Sequence, residues 1–459
     1  MLTRLRLTNF KAWHDTGDVE LAPLTILFGA NSAGKSSLHQ FLLMLRQTIE
    51  SPDRRRVLHT GDDRSPVDLG SYSGLRPDSG ADSPLEFELD WRRSAPLRVD
   101  YARNNSRFSG RDLGFKAAIS ATADTPPRLR VDSYEYRLST DGPDVLRLGS
   151  ARNNKGEYEI RAEGIELART LGRKRPVSAP SQFHAFPDDL PTRYQYLDFA
   201  ADLTLALEEQ LRAIDYLGPL RDKPNRLYRW SGEEVGHVGW RGEHAIEALL
   251  AGRTRTFNFA AKHKLQPLQV LVATWLRDLG VIDKFSVTQI GVGRDEYEVR
   301  VTSPGSRHEV LLTDVGFGVS QVLPVVVEAF YSAPGSTVVM EQPEIHLHPA
   351  VQAGLADLFI AAISAREDSA PRGTQFIIES HSEHLLRRLL RRVAEGEVDP
   401  ADVRCYVVNP GKGGSTIEAL DVDEYGNVHN WPEHFFGDPT ADIIAQSRSA
   451  RARRRVGPR

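Results

Sequence analysis

Residues 29–36 of the chain read Gly-Ala-Asn-Ser-Ala-Gly-Lys-Ser, directly after an apolar run at residues 24–28. This is the G-x-x-x-x-G-K-S pattern between a predicted strand and a predicted helix, the context that a phosphate-binding loop requires. Glycines at both ends allow the backbone to wrap closely around an anion, and the helix N-terminus adds partial positive charge. The pattern predicts nucleotide binding by Gly29, Ala30, Asn31, Ser32, Ala33, Gly34, Lys35, Ser36 and Ser37.

Two side chains of this loop have distinct predicted roles. Lys35 would reach the β- and γ-phosphates, and the Ser36 hydroxyl would bind Mg²⁺. The alternative is a glycine-rich turn that matches by chance. It is disfavoured because the strand, the helix and the complete loop pattern coincide.

Three further features have the chemistry that such a site needs. Glu341 follows the apolar run 337–340 and would supply the carboxylate on the Mg²⁺ side. His381 follows the run 375–379 and could sense the γ-phosphate. A glycine-rich turn at a helix start would present N–H groups to an anion, and its residues are Gly316, Gly318, Ser320 and Gln321. Each feature alone has an ordinary structural explanation, but in this order behind a phosphate loop they support one another.

The elements that must position these residues alternate between strands and helices. Apolar runs at 24–28, 337–340, 375–379 and 403–408 predict strands, with helical periodicity between them. This alternation predicts an α/β fold with a mostly parallel core sheet. Residues 84–160 instead contain short alternating runs broken by Gly, Asn, Asp and Pro, which indicates an antiparallel side sheet.

We predict five segments along the chain. The N-terminal part of the head, with the phosphate loop, is followed by the antiparallel insertion and then by a helical subdomain. The C-terminal part of the head and a small terminal domain with a basic tail complete the chain. The predicted limits are residues 1–80, 81–192, 193–282, 283–420 and 421–459.

Composition limits the classes of protein to consider. The 459 residues include 58 Lys and Arg against 62 Asp and Glu, a net charge of −4, so the chain as a whole is not a basic nucleic-acid-binding protein. A single cysteine, Cys405, excludes an intramolecular disulfide and suits a reducing compartment. The N-terminus lacks the apolar segment of a signal peptide, and the apolar runs are too short to span a bilayer. We therefore expect a cytoplasmic protein with no membrane partner.

In the order of its motifs, the chain resembles the ABC-type ATPases of the SMC/RecF/OLD-like group. The resemblance begins with an opening strand that ends in Asn-Phe-Lys at 9–11 and with the loop 29–36. DVGFGVSQVLP at 314–324 stands where the family has its signature helix. EQPEIHLHP at 341–349 is similar to the Walker B strand and its following loop, and ESHS at 379–382 is similar to the switch-histidine segment.

The resemblance covers about half of the chain and extends to its C-terminal end, where GNVHNWPEHFF at 426–436 resembles a small domain of unknown function. It implies an ATPase that uses ATP and Mg²⁺, with Lys35, Glu341, Gln342, Glu344 and His381 in catalysis and Ser36 and Glu341 at the metal. It also implies a homodimer with head-to-tail composite sites. Such a dimer would act as an ATP-driven switch in DNA maintenance or antiphage defence, with a separate effector such as a nuclease and with DNA as a further partner.

Two departures from the family pattern leave the chemistry open. Family sites have Asp and then Glu at this strand end, with the Glu as general base, whereas this chain has Glu341 and then Gln342. An amide cannot take a proton from water at neutral pH, although it can orient the water. Glu344 is the nearest alternative base. The signature segment is also altered, because Gly316 and Gly318 precede Ser320 in place of a Ser-Gly-Gly-Gln sequence.

Other functions remain open at this point. The Glu341–Gln342 pair also suits an ATP-gated clamp or scaffold with little hydrolysis. A nuclease that uses Asp421 and Asp423 is less favoured, because a hairpin turn at 423–427 explains these residues better. A transporter ATPase is disfavoured because no coupling region is recognisable.

Three weaker patterns have an ordinary interpretation and a functional one. Paired leucines and arginines at 382–393 predict an amphipathic surface helix, with nucleic-acid contact as the alternative. The arginine-rich end, 447–459, is predicted to be a disordered basic tail, with phosphate binding as the alternative. His346 and His348 are assigned to helix entry at Pro349 rather than to a metal, because no third ligand is evident.

Overall fold

Buried side chains recur at alternate positions along much of the strand sequence and on one face of most helices. The computed structural model describes residues 1–77, 83–122, 124, 127–140, 142, 145–170, 175–260, 264–432 and 445–449. The strands are β1 (Leu2–Phe10), β2 (Trp13–Asp15), β3 (Val19–Glu20), β4 (Leu24–Gly29), β5 (Leu85–Tyr101), β6 (Ser106–Ala121), β7 (Leu129–Ser139), β8 (Val145–Arg152), β9 (Tyr158–Glu163), β10 (Ala168–Arg169), β11 (Tyr194–Gln195), β12 (Ile214–Leu217), β13 (Tyr228–Arg229), β14 (Thr256–Asn258), β15 (Gln266–Pro267), β16 (Lys284–Gln289), β17 (Glu296–Thr302), β18 (Glu309–Leu311), β19 (Thr337–Glu341), β20 (Arg366–Glu367), β21 (Ala370–Pro371), β22 (Gln375–Glu379), β23 (Val403–Asn409) and β24 (Thr416–Ala419). The α-helices are α1 (Lys35–Glu50), α2 (Leu190–Arg193), α3 (Ala200–Arg212), α4 (Ala245–Ala251), α5 (Leu268–Asp278), α6 (Phe317–Tyr331), α7 (Pro349–Ser364) and α8 (Glu383–Ala394).

The predicted α/β fold is confirmed by a core sheet in the order β12-β19-β22-β4-β23-β24. Its first five strands are parallel, and β24 pairs antiparallel with β23. Ile26 and Met340 belong to the apolar cluster that includes α4–α8, whereas Leu27 and Val339 belong to the cluster that includes α1 and α3. Helices thus cover both faces of the sheet, as parallel strands require.

The strands that carry the predicted site end at one edge of this sheet. β4 ends at Gly29, β19 at Glu341 and β22 at Glu379. In the strand register Glu341 pairs with Glu379, and Glu379 pairs with Leu27. Because parallel strands present their carboxyl ends at the same edge, the phosphate loop and both glutamates meet there.

The predicted antiparallel sheet is present, and the N-terminal strand belongs to it. Its order is β2-β1-β5-β6-β7-β8-β9, and β3 also pairs with β1. The ring of Phe41 in α1 packs edge-on against Phe10 and Phe87, with centroid separations of 5.3 and 5.0 Å. The same apolar cluster includes Val339 of the core sheet, so α1 is fixed by contacts with both sheets.

The helices predicted within residues 193–282 contribute to different layers. Helix α3 packs with α1 on one face of the core sheet, whereas α4 and α5 pack with α6 on the other. Helix α3 begins at Ala200 and ends at Arg212. Tyr196 has a φ of 65°, and Ile214 already pairs with Thr337 in the core sheet. The five segment limits remain a prediction.

Helix α8 is the amphipathic helix that its sequence predicts. Leu385, Leu386 and Leu389 are buried. Its arginines form ion pairs at the surface, in which Arg388 and Arg392 bind Asp357, Arg387 binds Glu383 and Arg391 binds Glu395. These pairs support the structural interpretation of the helix.

The segment after β24 lies against α8. A Cβ on Gly426 would lie 2.3 Å from the carbonyl oxygen of Leu390, so only glycine fits there. The guanidinium of Arg387 is 5.8 Å from the centroid of the Trp431 ring. Most of the predicted basic tail lies outside the described residues. In the part of the chain that is described, no helix combines the length and the apolar character needed to cross a bilayer.

Candidate nucleotide and metal site

The phosphate-loop sequence adopts the predicted strand–loop–helix conformation between β4 and α1. Gly29 has a φ of 146°, and a Cβ there would lie 2.2 Å from the carbonyl oxygen of Val408 in β23. Gly34 precedes α1 with a φ of 102° and no side-chain cap, and the first helical turn contains no acidic residue. Both backbone conformations favour glycine. The uncapped helix start leaves N–H groups available to an anion.

The lysine and the serine of the loop contact an acidic residue that the sequence patterns did not indicate. Lys35 Nζ donates to the carbonyl oxygens of Gly29 at 3.1 Å and Ala30 at 2.8 Å, and it lies 3.7 Å from Glu379 Oε1. Ser36 Oγ donates to Glu379 Oε2 at 2.6 Å. Burial lowers the pKa of Lys35, and the charge of Glu379 partly offsets this effect. Glu379 therefore faces both side chains that would meet the phosphates and the metal.

Glu341 lies beside Glu379, as the sheet register requires. Tyr216 donates its hydroxyl to Glu341 Oε1 at 3.3 Å, and His39 Nδ1 is 3.8 Å from the same oxygen. Hydroxyl and carboxylate oxygens are the ligands that Mg²⁺ prefers, so Ser36, Glu341 and Glu379 fit that ion next to the loop.

Glu379 and His39 are two site residues that the sequence patterns did not indicate. Glu379 has the same signal as Glu341, a carboxylate at the end of a buried strand. Only the strand order β19-β22-β4 shows that it lies nearer the loop. His39 follows Lys35 by four residues, which places both on one face of α1.

The loop after β19 contains two candidates for handling water. Gln342 has a φ of 45°, and its N–H donates to the carbonyl oxygen of Glu379 at 2.8 Å. Glu344 Oε1 accepts hydrogen bonds from Ser380 Oγ at 2.8 Å and from the N–H of His381 at 2.6 Å. Glu344 Oε2 is buried without a hydrogen-bond partner. Burial raises the pKa of Glu344, which these hydrogen bonds partly offset. A buried carboxylate with one unused oxygen suits a general base.

Arg221, also not indicated by any pattern, fixes this loop. Its guanidinium donates to the carbonyl oxygens of Glu341 at 3.2 Å and Gln342 at 3.3 Å. Burial lowers its pKa to about 10, and the charge of Glu344 partly offsets that. The backbone that carries three predicted catalytic side chains is therefore held by one buried cation.

His381 lies two residues after the end of β22 and faces the same site. Its Nε2 is 3.9 Å from Glu379 Oε1 and has no hydrogen-bond partner. Burial and then the positive charge of Lys35 lower the pKa of His381, so its imidazole is neutral at pH 7. A neutral ring can still donate a hydrogen bond to a phosphate oxygen.

The glycine-rich turn forms the start of α6, as predicted. Gly316 precedes the helix without a side-chain cap, and the first turn contains no acidic residue. Gly318 lies near the loop after β19, where a Cβ would be 3.8 Å from His346 O and from Leu347 Cδ2. Gly316 is exposed and Gly318 partly exposed, whereas the other two predicted contact residues, Ser320 and Gln321, are buried.

The two weaker metal patterns have structural explanations. Asp423 accepts hydrogen bonds from the N–H groups of Tyr425 at 2.9 Å and Asn427 at 2.8 Å, as in the predicted hairpin turn. His348 Nδ1 accepts from the N–H of Ala350 at 3.3 Å, which caps α7.

Comparisons with known proteins agree with this arrangement. The family described as "AAA domain, putative AbiEii toxin, Type IV TA system" matches residues 24–387, and a family of unknown function, DUF3696, matches residues 398–446. The DNA replication and repair protein RecF of Salinibacter ruber is 24% identical over 347 residues, which cover 59% of this chain and 77% of that protein.

Solved structures of SMC heads are also similar over most of the chain. The SMC head domain from Thermotoga maritima has 11% identity and a TM-score of 0.40, covering 92% of this chain and 99% of that one. An Smc head bound to the C-terminal domain of ScpA derived from Pyrococcus furiosus has 10% identity and a TM-score of 0.40, covering 97% and 99%. The resemblance to ABC-type ATPases of the SMC/RecF group is confirmed by the family and RecF matches. Since the first family match spans most of the sequence, the chain belongs to the AAA domain family with that description.

Proposed function

We propose that the chain is a Mg-dependent ATPase that acts as an ATP-driven dimeric switch in DNA maintenance or antiphage defence. In this proposal it controls a separate effector, such as a nuclease. The observation that carries the ATPase is the meeting of Lys35 and Ser36 with Glu341 and Glu379 at one sheet edge. The RecF relative, named as a DNA replication and repair protein, supports the DNA role. The antiphage role and the effector rest on the motif resemblance.

The side chains divide the work of phosphoryl transfer. Lys35 leaves its carbonyl partners in the loop and binds the β- and γ-phosphates. Mg²⁺, held by Ser36 with Glu341 and Glu379, would neutralise charge on the same phosphates. His381 donates to the γ-phosphate from the end of β22. Glu341, Glu379 and His381 are already positioned by the ends of β19 and β22, which reduces the reorganisation that these three side chains require.

Glu344 is the residue that we assign to water activation. Its charge raises the pKa of Lys35, although less than that of Glu379, so it faces the same pocket. Ser380 and the backbone of His381 hold Oε1, which leaves Oε2 to accept a proton from water. Gln342 follows the metal-side acid and orients the water without accepting its proton.

The second candidate function is an ATP-gated clamp with little hydrolysis. The Gln342 side chain, at the position where related sites have a glutamate base, favours it. Wild-type phosphate release distinguishes the two functions. Turnover above the Lys35→Ala background supports the ATPase, whereas ATP binding without turnover would support the clamp.

Three glutamate substitutions test the assigned roles. Glu344→Gln is expected to reduce steady-state phosphate release by about 100-fold or more, the usual contribution of a general base, while ATP still binds. Glu341→Gln and Glu379→Gln are expected to lose Mg²⁺-dependent turnover, because each removes a carboxylate from the metal side. Glu397→Gln, at an exposed position, is the control with the same chemical change and should keep wild-type turnover.

Wild-type turnover in Glu344→Gln would contradict its assignment as the base. Gln342→Ala then shows whether Gln342 orients the water. Binding isotherms for ATP on each variant separate a loss of chemistry from a loss of affinity.

A further inference from the structure

His39 lies near the start of α1, four residues after Lys35, and its side chain is fully buried. Neither ring nitrogen has a hydrogen-bond partner. Buried polar atoms are nearly always paired, so such a side chain requires an explanation, such as a bound ion or water. Nδ1 faces Glu341 Oε1 at 3.8 Å, which is too far for a hydrogen bond.

Two carboxylates complete a ligand group around this ring. One ligand atom from each of His39, Glu341 and Glu379 lies within 4.8 Å of the other two. Ligands about 2.1 Å from one ion in tetrahedral geometry are about 3.4 Å apart, so side-chain rotations that shorten the present separations would bring all three into contact with it. Among the described residues, no other group of three or more His, Cys, Asp or Glu side chains has its ligand atoms this close together.

The surroundings favour a cation at this position. Glu341 and Glu379 are both buried, and burying ionised carboxylates is costly unless they are paired. Lys35 is 3.7 Å from Glu379, and the Tyr216 hydroxyl donates to Glu341. Lys11 also contributes positive charge near Glu341, although its ammonium donates to Gln40, whereas a divalent ion between the two carboxylates would contact both.

We propose that His39, Glu341 and Glu379 bind a divalent transition-metal ion in the absence of nucleotide. An imidazole nitrogen with two carboxylate oxygens suits first-row transition metals, whereas Mg²⁺ prefers oxygen ligands alone. A Mg²⁺ site in an ATPase usually needs nucleotide phosphates as ligands, whereas the three protein ligands of this site can bind an ion without nucleotide. The proposal therefore goes beyond the ATPase, although the two share Glu341 and Glu379.

The test uses Mn²⁺ as the probe on the full chain, freed of metals with a chelator and without nucleotide. The six-line electron paramagnetic resonance signal of free Mn²⁺ should decrease until one ion per chain is bound. A tenfold excess of Mg²⁺ should not displace it. Pulsed measurements on the bound ion should show coupling to an imidazole ¹⁴N nucleus. His39→Gln should bind Mn²⁺ at least tenfold more weakly, whereas His384→Gln, at an exposed position of α8, should bind as the wild type does.

Absence of Mn²⁺ binding, displacement by the tenfold excess of Mg²⁺, or absence of ¹⁴N coupling in the wild type would each overturn the proposal. The coupling is measured on the wild type, so the test holds even if His39→Gln does not fold. Calorimetry of ATP with Mg²⁺ on the same preparation separates the two proposals. ATP binding without Mn²⁺ binding leaves the ATPase alone standing, and the reverse leaves the metal site alone standing.

Discussion

Lys35→Ala is expected to weaken ATP binding by about 30- to 1,000-fold, which corresponds to about 2–4 kcal/mol for a charge-assisted contact with phosphate. The Lys35 ammonium is held inside the loop by the carbonyl oxygens of Gly29 and Ala30, at the position where the phosphates would enter. Without it, the nucleotide would face Glu379 with no positive side chain between them. Titration calorimetry with ATP and Mg²⁺ measures the loss.

Two controls make this result interpretable. Lys284→Ala removes the same side chain from an exposed position in β16 and should leave ATP affinity unchanged. Thermal unfolding of Lys35→Ala shows whether the variant is folded, because Lys35 is buried. A folded Lys35→Ala protein with wild-type ATP affinity would rule out the phosphate-loop assignment.

The parts of the site that the sequence predicted are those encoded by neighbouring residues. The phosphate loop depends on glycines whose φ values of 146° and 102° are local properties, and its strand and helix follow directly. Glu341 and His381 could be found because each follows an apolar run of strand length. Local patterns of this kind depend on backbone conformation and burial, which adjacent residues largely determine.

The missing parts depend on contacts between distant segments. Glu379 meets Ser36 across a separation of 343 residues, and Arg221 reaches the loop after β19 across about 120. No periodicity predicts that β22 lies between β19 and β4, and that order decides which carboxylate is nearest the loop. The same limit applies to β1, because the resemblance included an opening strand but did not indicate its pairing with β5.

At the surface, contacts between side chains instead weaken two functional interpretations that the sequence had suggested. The arginine pairs of 382–393 suggested nucleic acid as one interpretation. Arg388 and Arg392 share Asp357 on α7 as their partner. Asp423 likewise suggested metal chemistry, but its carboxylate accepts the N–H groups of its own turn.

The proposed dimer can be tested by mixing variants. The sequence contains one G-x-x-x-x-G-K-S loop, at 29–36, and the glycine-rich start of α6 lies far from it along the chain. Gly29 of the loop lies against Val408 in β23, whereas Gly318 lies near His346 and Leu347. If the start of α6 completes the nucleotide site of a second copy, two chains related by a two-fold axis form two sites at once. Such a contact would require the γ-phosphate, so ATP should favour the closed dimer over ADP through differential affinity.

Gly318→Asp is the substitution that tests the α6 side of this composite site. A Cβ at Gly318 meets its neighbours only at 3.8 Å, an ordinary contact distance, so the aspartate can fold into place. Its charge would stand at an uncapped helix start that otherwise favours an anion. Gly318→Ala, which adds the Cβ without the charge, is the matched control and should keep most of the activity.

Mixing Lys35→Ala with Gly318→Asp should restore activity that neither variant has alone. In a mixed dimer, the intact loop of the Gly318→Asp chain faces the intact α6 start of the Lys35→Ala chain, while the other site carries both defects. Random exchange makes about half of the dimers mixed, so independent sites would recover about one quarter of wild-type turnover. Differently tagged chains recovered together show that exchange has occurred. If each site lay within one chain, the mixture would show no recovery. Every chain would then carry a defect in its own site, either in the phosphate loop or in the start of α6.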